Sequence, residues 1–329
     1  MHIIMILCLH SLEGDGTVHR VELILRYVIM SVNVQYERAT TIHSRQVRLR
    51  LRVAHTASAI GDSRGSVCIV VDVVRASTTL VTLCECGAGP IRFATELEEA
   101  RRRAAQFGNE RALLVGEQGG IIAPGFDLDN SPTAANAAAV AGRGVVMRTS
   151  NGTVALALLS AAPLVLVGCV RNGEAVVEQA IAEAVSRKLD VLIVCAGQEH
   201  GTVFALDDIL AAGYLVACAW ELHGPWAFPD QRDAPRTIDE SALAALTLYR
   251  SFVAESMRPT TEAFMNALLQ GAGPRFIAST GRLDDVRYCA TPGSSVVVPR
   301  VVQTPDGPTI ASERKAAPPA LAGATLSTT

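Results

Sequence analysis

From Val67 onward, short apolar runs alternate with stretches of helical periodicity. The apolar runs fall at Val67–Val74, Leu113–Gly116, Val145–Met147, Leu164–Gly168 and Val191–Cys195. They are rich in β-branched residues and short, which marks them as buried strands rather than buried helices. Between them the spacing predicts helices around Ser77–Cys86, Thr95–Phe107, Pro132–Ala141, Thr153–Ala161 and Gly173–Arg187. Further helices are predicted at Leu206–Leu222, Asp239–Ala254 and Thr260–Leu269, and a late pair, Val286–Cys289 and Ser295–Pro299, reads as edge strands. Strands alternating with helices need crossover connections, so the pattern predicts an α/β fold: a mainly parallel sheet with helices on both faces and antiparallel strands at an edge.

The flanks read differently. Residues 1–62 carry five of the seven histidines and many arginines with weak periodicity. They form an N-terminal extension that either holds one or two strands or includes a misassigned translation start. Residues 63–303 form the predicted domain. Residues 304–329, rich in Pro, Ala, Gly, Ser and Thr, read as a disordered tail.

Composition narrows the partners. The chain is 49% hydrophobic but only 5% aromatic, as parallel strands under alanine-rich helices require. A net charge of -3 offers no general attraction to nucleic acid or an anionic membrane. A small anionic substrate would therefore need particular arginines or a metal. The cysteines (Cys8, Cys68, Cys84, Cys86, Cys169, Cys195, Cys218 and Cys289) are irregularly spaced and often inside apolar runs, which predicts free thiols in a reducing cytoplasm. Cys84-Glu-Cys86 lacks the second ligand pair of a zinc site. The longest apolar stretch, Val154–Val170, is interrupted by Pro163 and predicts no membrane span. The apolar Ile3–Leu9 is short and lacks a basic flank, so no signal peptide is expected.

In open α/β sheets ligands gather beyond the carboxyl ends of the strands. Reading past each run gives Asp72, Arg75, Ser77, Thr78 and Thr79; then Glu117 before Gly119-Gly120, with Asp127 to Pro132 beyond; then Arg148-Thr-Ser-Asn151-Gly-Thr153; then Arg171-Asn-Gly173; and, after Cys195, Asp207-Asp208. Helix starts welcome anions, and a carboxylate beside an anion seat suggests a bridging divalent cation. Each corner also has a plain structural explanation. Asn130-Ser131-Pro132 and Ser150-Asn151-Gly152-Thr153 suit helix caps, and Asp207-Asp208 suits a helix first turn. Glu117 resists that explanation, because a carboxylate leaving a buried strand is costly unless paired. His200 and His223 read as loop residues. No phosphate-binding P-loop, dinucleotide fingerprint, nucleophile elbow or His-Glu-x-x-His motif is present.

Taken in order, Val-Val-Asp-Val-Val-Arg-Ala-Ser-Thr-Thr (70–79), Gly-Glu (116–117), Gly-Phe-Asp-Leu-Asp-Asn-Ser-Pro (125–132), Thr-Ser-Asn-Gly-Thr (149–153) and Leu-Asp-Asp (206–208) resemble the 2-phosphosulfolactate phosphatase family. Leu-Asp-Asp-Val-Arg-Tyr-Cys-Ala (283–290) is similar to that family's closing segment, and the resemblance runs from about Val67 to Pro299. The family usually has Gly at Asp129, Thr at Ser150 and Glu-Asp at Asp207-Asp208. The resemblance implies a three-layer α/β/α fold and a Mg²⁺-dependent phosphatase of coenzyme M biosynthesis, releasing phosphate from (2R)-2-phospho-3-sulfolactate. The expected metal carboxylates are Asp72, Glu117 and Asp208, with Asp72 or Glu117 as general base and Arg75 and Asn151 also catalytic. Ser77, Thr78, Asn130, Ser131 and Thr153 would seat the substrate, with Arg148 or Arg171 on its second acidic group. Two alternatives stand beside this: a non-catalytic anion-binding or regulatory protein, and a phosphatase for another small phosphorylated acid. Monomer and homodimer are both open.

Overall fold

In a computed structural model of the protein, which describes residues 48–107, 112–224, 226–227, 236–253 and 258–312, the apolar runs become strands of one eleven-stranded sheet. The described residues belong to one compact unit, Val47–Thr329. Most of the expected N-terminal extension and the end of the expected tail lie outside them.

In chain order the elements are β1 (Leu49–Ala54), β2 (Ser66–Val71), α1 (Ala76–Glu85), β3 (Ile91–Ala94), α2 (Leu97–Ala105), β4 (Leu113–Gln118) and β5 (Ile121–Ile122). There follow α3 (Pro132–Ala137), β6 (Val145–Arg148), α4 (Gly152–Leu158), β7 (Leu164–Gly168), α5 (Gly173–Arg187), β8 (Asp190–Cys195) and α6 (Leu206–His223). The last elements are β9 (Arg236–Ile238), α7 (Glu240–Phe252), α8 (Thr261–Leu268), α9 (Ala272–Ser279), α10 (Leu283–Cys289), β10 (Pro299–Thr304) and β11 (Gly307–Ser312).

The two-residue period of the strands builds three layers. Val67, Ile69 and Val71 of β2 join Val191, Ile193 and Cys195 of β8 in a core covered by α5, α6 and α7. The intervening Cys68, Val70, Leu192 and Val194 face the other way, against Leu80 and Leu83 of α1 and Ala155 and Leu156 of α4. All six residues of β2 are buried, which is why its sequence is an unbroken apolar run. Helix α6 is apolar nearly all round because other helices cover the side turned from the sheet: Tyr214 packs within 6 Å of Tyr249 of α7 and Phe264 of α8. The described cysteines are free and mostly buried, and no described helix is long and apolar enough to cross a membrane.

Three expectations are corrected. Val286–Cys289 lies in helix α10, where Val286, Cys289 and Ala290 face the core at helical spacing; a four-residue segment has too little period to tell helix from strand. The late strands are instead β10 and β11, joined at Thr304-Pro305-Asp306-Gly307, whose Pro-Asp-Gly chemistry suits a tight turn. They sit in the middle of the sheet rather than at an edge, between β7 and β3. The sheet therefore draws on residues outside 63–303 at both ends. Strand β1 pairs with β8 on one side and β9 on the other, and β11 pairs with β3. Tail-like average composition hides a six-residue strand whose Ile310 is fully packed.

The strand order is β5-β4-β6-β3-β11-β10-β7-β2-β8-β1-β9. The β3–β11, β11–β10 and β10–β7 pairings are all antiparallel. Three reversals leave the parallel block β4-β6-β3 running against the parallel block β7-β2-β8-β1-β9. Loops following strands of both blocks nevertheless line one cavity. Sheet twist of roughly 20–25° per strand accumulates to more than a right angle between β6 and β2, enough to swing the carboxyl ends of the two blocks toward each other.

Candidate active site

A cavity of about 430 Å³ opens where these strand ends meet. Of the residues expected at a site, Asp72, Arg75, Glu117, Asn130, Asn151 and Asp208 line it. Asp207, Gln198 and the α9 residues Phe276 and Ile277 complete much of the wall.

Asp72 follows β2 directly. Its Oδ1 accepts the Ala76 N–H at 3.1 Å and its carbonyl accepts the Ser77 N–H at 2.8 Å. The anion at the start of α1 is thus the protein's own carboxylate. Helix α4 approaches Asp72 with bare backbone: a Cβ on Gly152 would come within 2.8 Å of Asp72 Oδ2. Glu117 reaches the cavity from the end of β4, its Oε2 accepting from Gly120 N at 2.8 Å and its Oε1 from Ser150 N at 2.6 Å. The strand ends carrying Glu117 and Ser150 lie so close that a Cβ on Gly116 would overlap the Arg148 carbonyl at 1.9 Å. Asp208 is clamped between two other strand ends, Oδ1 accepting from Val73 N and Oδ2 from Gly197 N, both at 2.9 Å.

Asp207 differs from its neighbours. It is 4% exposed, and its Oδ1 is buried with no hydrogen-bond partner, as is Oδ1 of Asn130. Burial pushes Asp207 up to about 7, and repulsion from Asp72 adds to the rise. Burial likewise pushes Asp72 up to about 6, with Glu117 repulsion opposing the backbone donors that favour its charged form. Asp208 is held well above the usual carboxylate range by burial and by Asp207 and Asp72. Among the described residues, no three His, Cys, Asp or Glu side chains already form a metal cage. What the cavity offers is an all-oxygen donor set with unanswered buried acceptors, and that chemistry suits a hard cation.

The remaining expected residues turn out to build the corners rather than face the cavity. Ser77 Oγ accepts from Asp72 N at 2.8 Å and donates to the Val70 carbonyl; Thr78 Oγ1 donates to the Val73 carbonyl at 2.8 Å. Thr153 exchanges bonds with Thr149 across the start of α4. Ser131 caps α3 by accepting from Ala134 N at 3.1 Å. Arg148 donates to the carbonyls of Glu117 at 2.7 Å and Thr95 at 3.1 Å, tying β4 to β6. Arg171 is off the cavity, paired with Glu85 at 3.1 Å and stacked 4.1 Å from the Tyr288 ring. Short hydroxyls near a helix start satisfy their own backbone before they can reach a ligand.

Residues 54–304 match the family model described as 2-phosphosulpholactate phosphatase. The chain belongs to that family. Relatives described as probable 2-phosphosulfolactate phosphatase include one from Deinococcus radiodurans, 37% identical over 246 residues, or 74% of this chain and 90% of that protein. One from Synechococcus sp. (strain CC9605) is 34% identical over 242 residues, covering 74% of this chain and 91% of its own. One from Thermus thermophilus is 35% identical over 237 residues, covering 71% and 86%.

In this member of the family, three acids beyond the expected metal set stand out. Asp207 and Asp208 are adjacent in the chain, and nothing in that pair tells which one the backbone clamps. Asp129, noted above only as a departure from the family pattern, and Asp285, in the closing segment, both accept from Arg75 Nη1, at 3.1 and 3.0 Å. The motif residues were visible in the sequence, but their partnership spans 54 and 210 positions and left no local signal.

Proposed function

We propose that this chain hydrolyses the phosphate monoester of a small acidic molecule, (2R)-2-phospho-3-sulfolactate being the substrate the family points to, with Mg²⁺ as cofactor. The observation that supports this is the convergence of Asp72, Glu117, Asp207, Asp208 and Arg75 on one cavity. Four acids and one cation would repel a polyanionic substrate unless a divalent ion balanced them. Asp72 and Asp207, both pushed toward the protonated form by burial and Asp207 further by the charge on Asp72, would hold that ion. When bound, it would offset charge on the phosphoryl oxygens and acidify water.

The protein's own groups do the rest. Arg75 offers N–H donors to the phosphoryl oxygens. Glu117, oriented by backbone N–H groups at both oxygens, keeps a further lone pair with which to take the proton of the attacking water. Asp208 holds the ends of β2 and β8 in register beneath the site. Asn130, with its unpartnered Oδ1, and Asn151 border the space left for substrate. The ester P–O bond breaks, water supplies the new oxygen, the proton taken by Glu117 is returned through solvent to the departing alkoxide, and the alcohol and orthophosphate leave.

The test is release of orthophosphate from a panel of phosphomonoesters, 2-phospho-3-sulfolactate among them, by purified protein with Mg²⁺ or with EDTA. Metal-dependent release, fastest on the sulfolactate ester, is expected. Binding without release under every metal tried would overturn the assignment in favour of an anion-binding protein.

A further inference from the structure

Asp285 is 1% exposed and does not line the cavity, yet both of its oxygens are engaged in holding parts of the site. Its Oδ2 accepts from Arg75 Nη1 at 3.0 Å. Its Oδ1 accepts from Ser131 Oγ at 2.7 Å and Thr133 Oγ1 at 2.6 Å, in the first turn of α3. Arg75 Nη1 also donates to Asp129 Oδ2 at 3.1 Å, and its Nη2 donates to the Gly120 carbonyl at 3.0 Å. A guanidinium has five N–H donors, so these three bonds leave Nε–H and one Nη2–H.

Charge neutralisation alone does not require this arrangement. Asp129 already pairs with Arg75, and it shares a second arginine, Arg282, at 2.9 Å. One acceptor on Arg75 would satisfy its charge and leave the guanidinium free to turn about its last bonds. Two carboxylates on Nη1 and a carbonyl on Nη2, from three separate parts of the chain, fix its plane.

We propose that Asp285 is a positioning residue: it locks Arg75 so that its two remaining N–H donors meet the phosphoryl group, and the docking of α10 thereby completes the site. This rests on the reading that the cavity takes a phosphate monoester. It gives the closing Leu-Asp-Asp-Val-Arg-Tyr-Cys-Ala segment a function besides packing.

The experiment titrates orthophosphate into the full-length protein with Mg²⁺ by calorimetry and measures kcat/KM alongside. Asp285→Asn keeps the shape and an acceptor for Ser131 and Thr133 but turns a donor toward Arg75. It should weaken orthophosphate binding about tenfold and lower kcat/KM at least as much. In an Arg75→Gln background the same change should add nothing, because the effect passes through Arg75. Unchanged phosphate affinity in folded Asp285→Asn protein, or losses that simply add in the double variant, would overturn the proposal. If that variant does not fold, Thr133→Val loosens Asp285 while leaving its charge, and about twofold to threefold weaker binding is expected from the lost hydrogen bond; undiminished affinity there is equally fatal. A parent protein that neither binds orthophosphate nor releases it refutes the functional reading itself. A competent parent with an indifferent Asp285→Asn refutes only the role of Asp285.

Discussion

Two sets of buried carboxylates meet at this site, and they differ in whether a cation accompanies them. Asp129 and Asp285 share Arg75, and Arg282 adds a second positive charge to Asp129. Asp72, Asp207 and Asp208 have backbone donors and one another, and burial drives all three toward their neutral forms. The first set is finished architecture. The second is electrostatically incomplete in the bare chain, which is what the proposed cation site requires. Burial alone does not separate the two, since all five acids are at most 9% exposed.

Removing a member of each set should therefore have opposite effects on stability. Asp285→Leu strips one counter-charge from buried Arg75 and leaves Ser131 and Thr133 without their acceptor, so a loss of about 3–5 kcal/mol is expected in urea denaturation. A neutral result would show that Asp129 suffices. Asp207→Asn should lower kcat by roughly 10²–10³-fold, as for other groups that stabilise charge developing in a transition state. Its metal-free form should be no less stable than the parent at pH 8, because the substitution relieves a buried repulsion. A destabilised metal-free Asp207→Asn protein would place Asp207 with the structural acids.

The pH dependence sharpens the same contrast. Asp72 and Asp207 have folded values of about 6 and about 7, above the ordinary 3.8. Below about pH 4 both carboxyls are protonated in the folded and unfolded states, and nothing is lost. Between about 4 and 7 the unfolded chain ionises first, so the stability of metal-free protein should fall as pH rises, and the raised Asp208 acts in the same direction. Thermal unfolding in EDTA at pH 5 and pH 8 should show the drop, and Mg²⁺ should restore much of it at pH 8. A flat profile would mean that internal donors already satisfy these acids. The smallest effect is expected at Arg171, which the structure removes from the site. Arg171→Ala should cost about 1 kcal/mol through its ion pair and its stacking on Tyr288, with kcat/KM within about twofold of the parent.

Much of this site was legible along the chain because its acids sit directly after strands whose apolar runs are unmistakable. Asp72 and Glu117 are one residue beyond, or inside, the observed ends of β2 and β4. The hydroxyls misled because Ser77, Thr78 and Thr153 occupy helix starts, where capping and ligand binding ask for the same residue types. Arg148 and Arg171 misled for a related reason: an arginine near a strand end has equal chemistry for a substrate and for a carbonyl or a glutamate of its own fold.

Periodicity was sufficient for the alternation of strands and helices and for helices on both faces of the sheet, since those follow from which faces must leave water. The family was legible only as a resemblance carried by the ordered motifs from Asp72 to Asp208. Periodicity and motifs were silent on the direction of the sheet, because the β10–β11 hairpin that reverses it comes from the end of the chain and pairs with strands far upstream. They were silent too on which acid would find a cation and which would not. That distinction depends on contacts such as Arg75 with Asp285, 210 residues apart. Electrostatic energy depends on distance in space, and a linear pattern carries no record of it until the chain has folded.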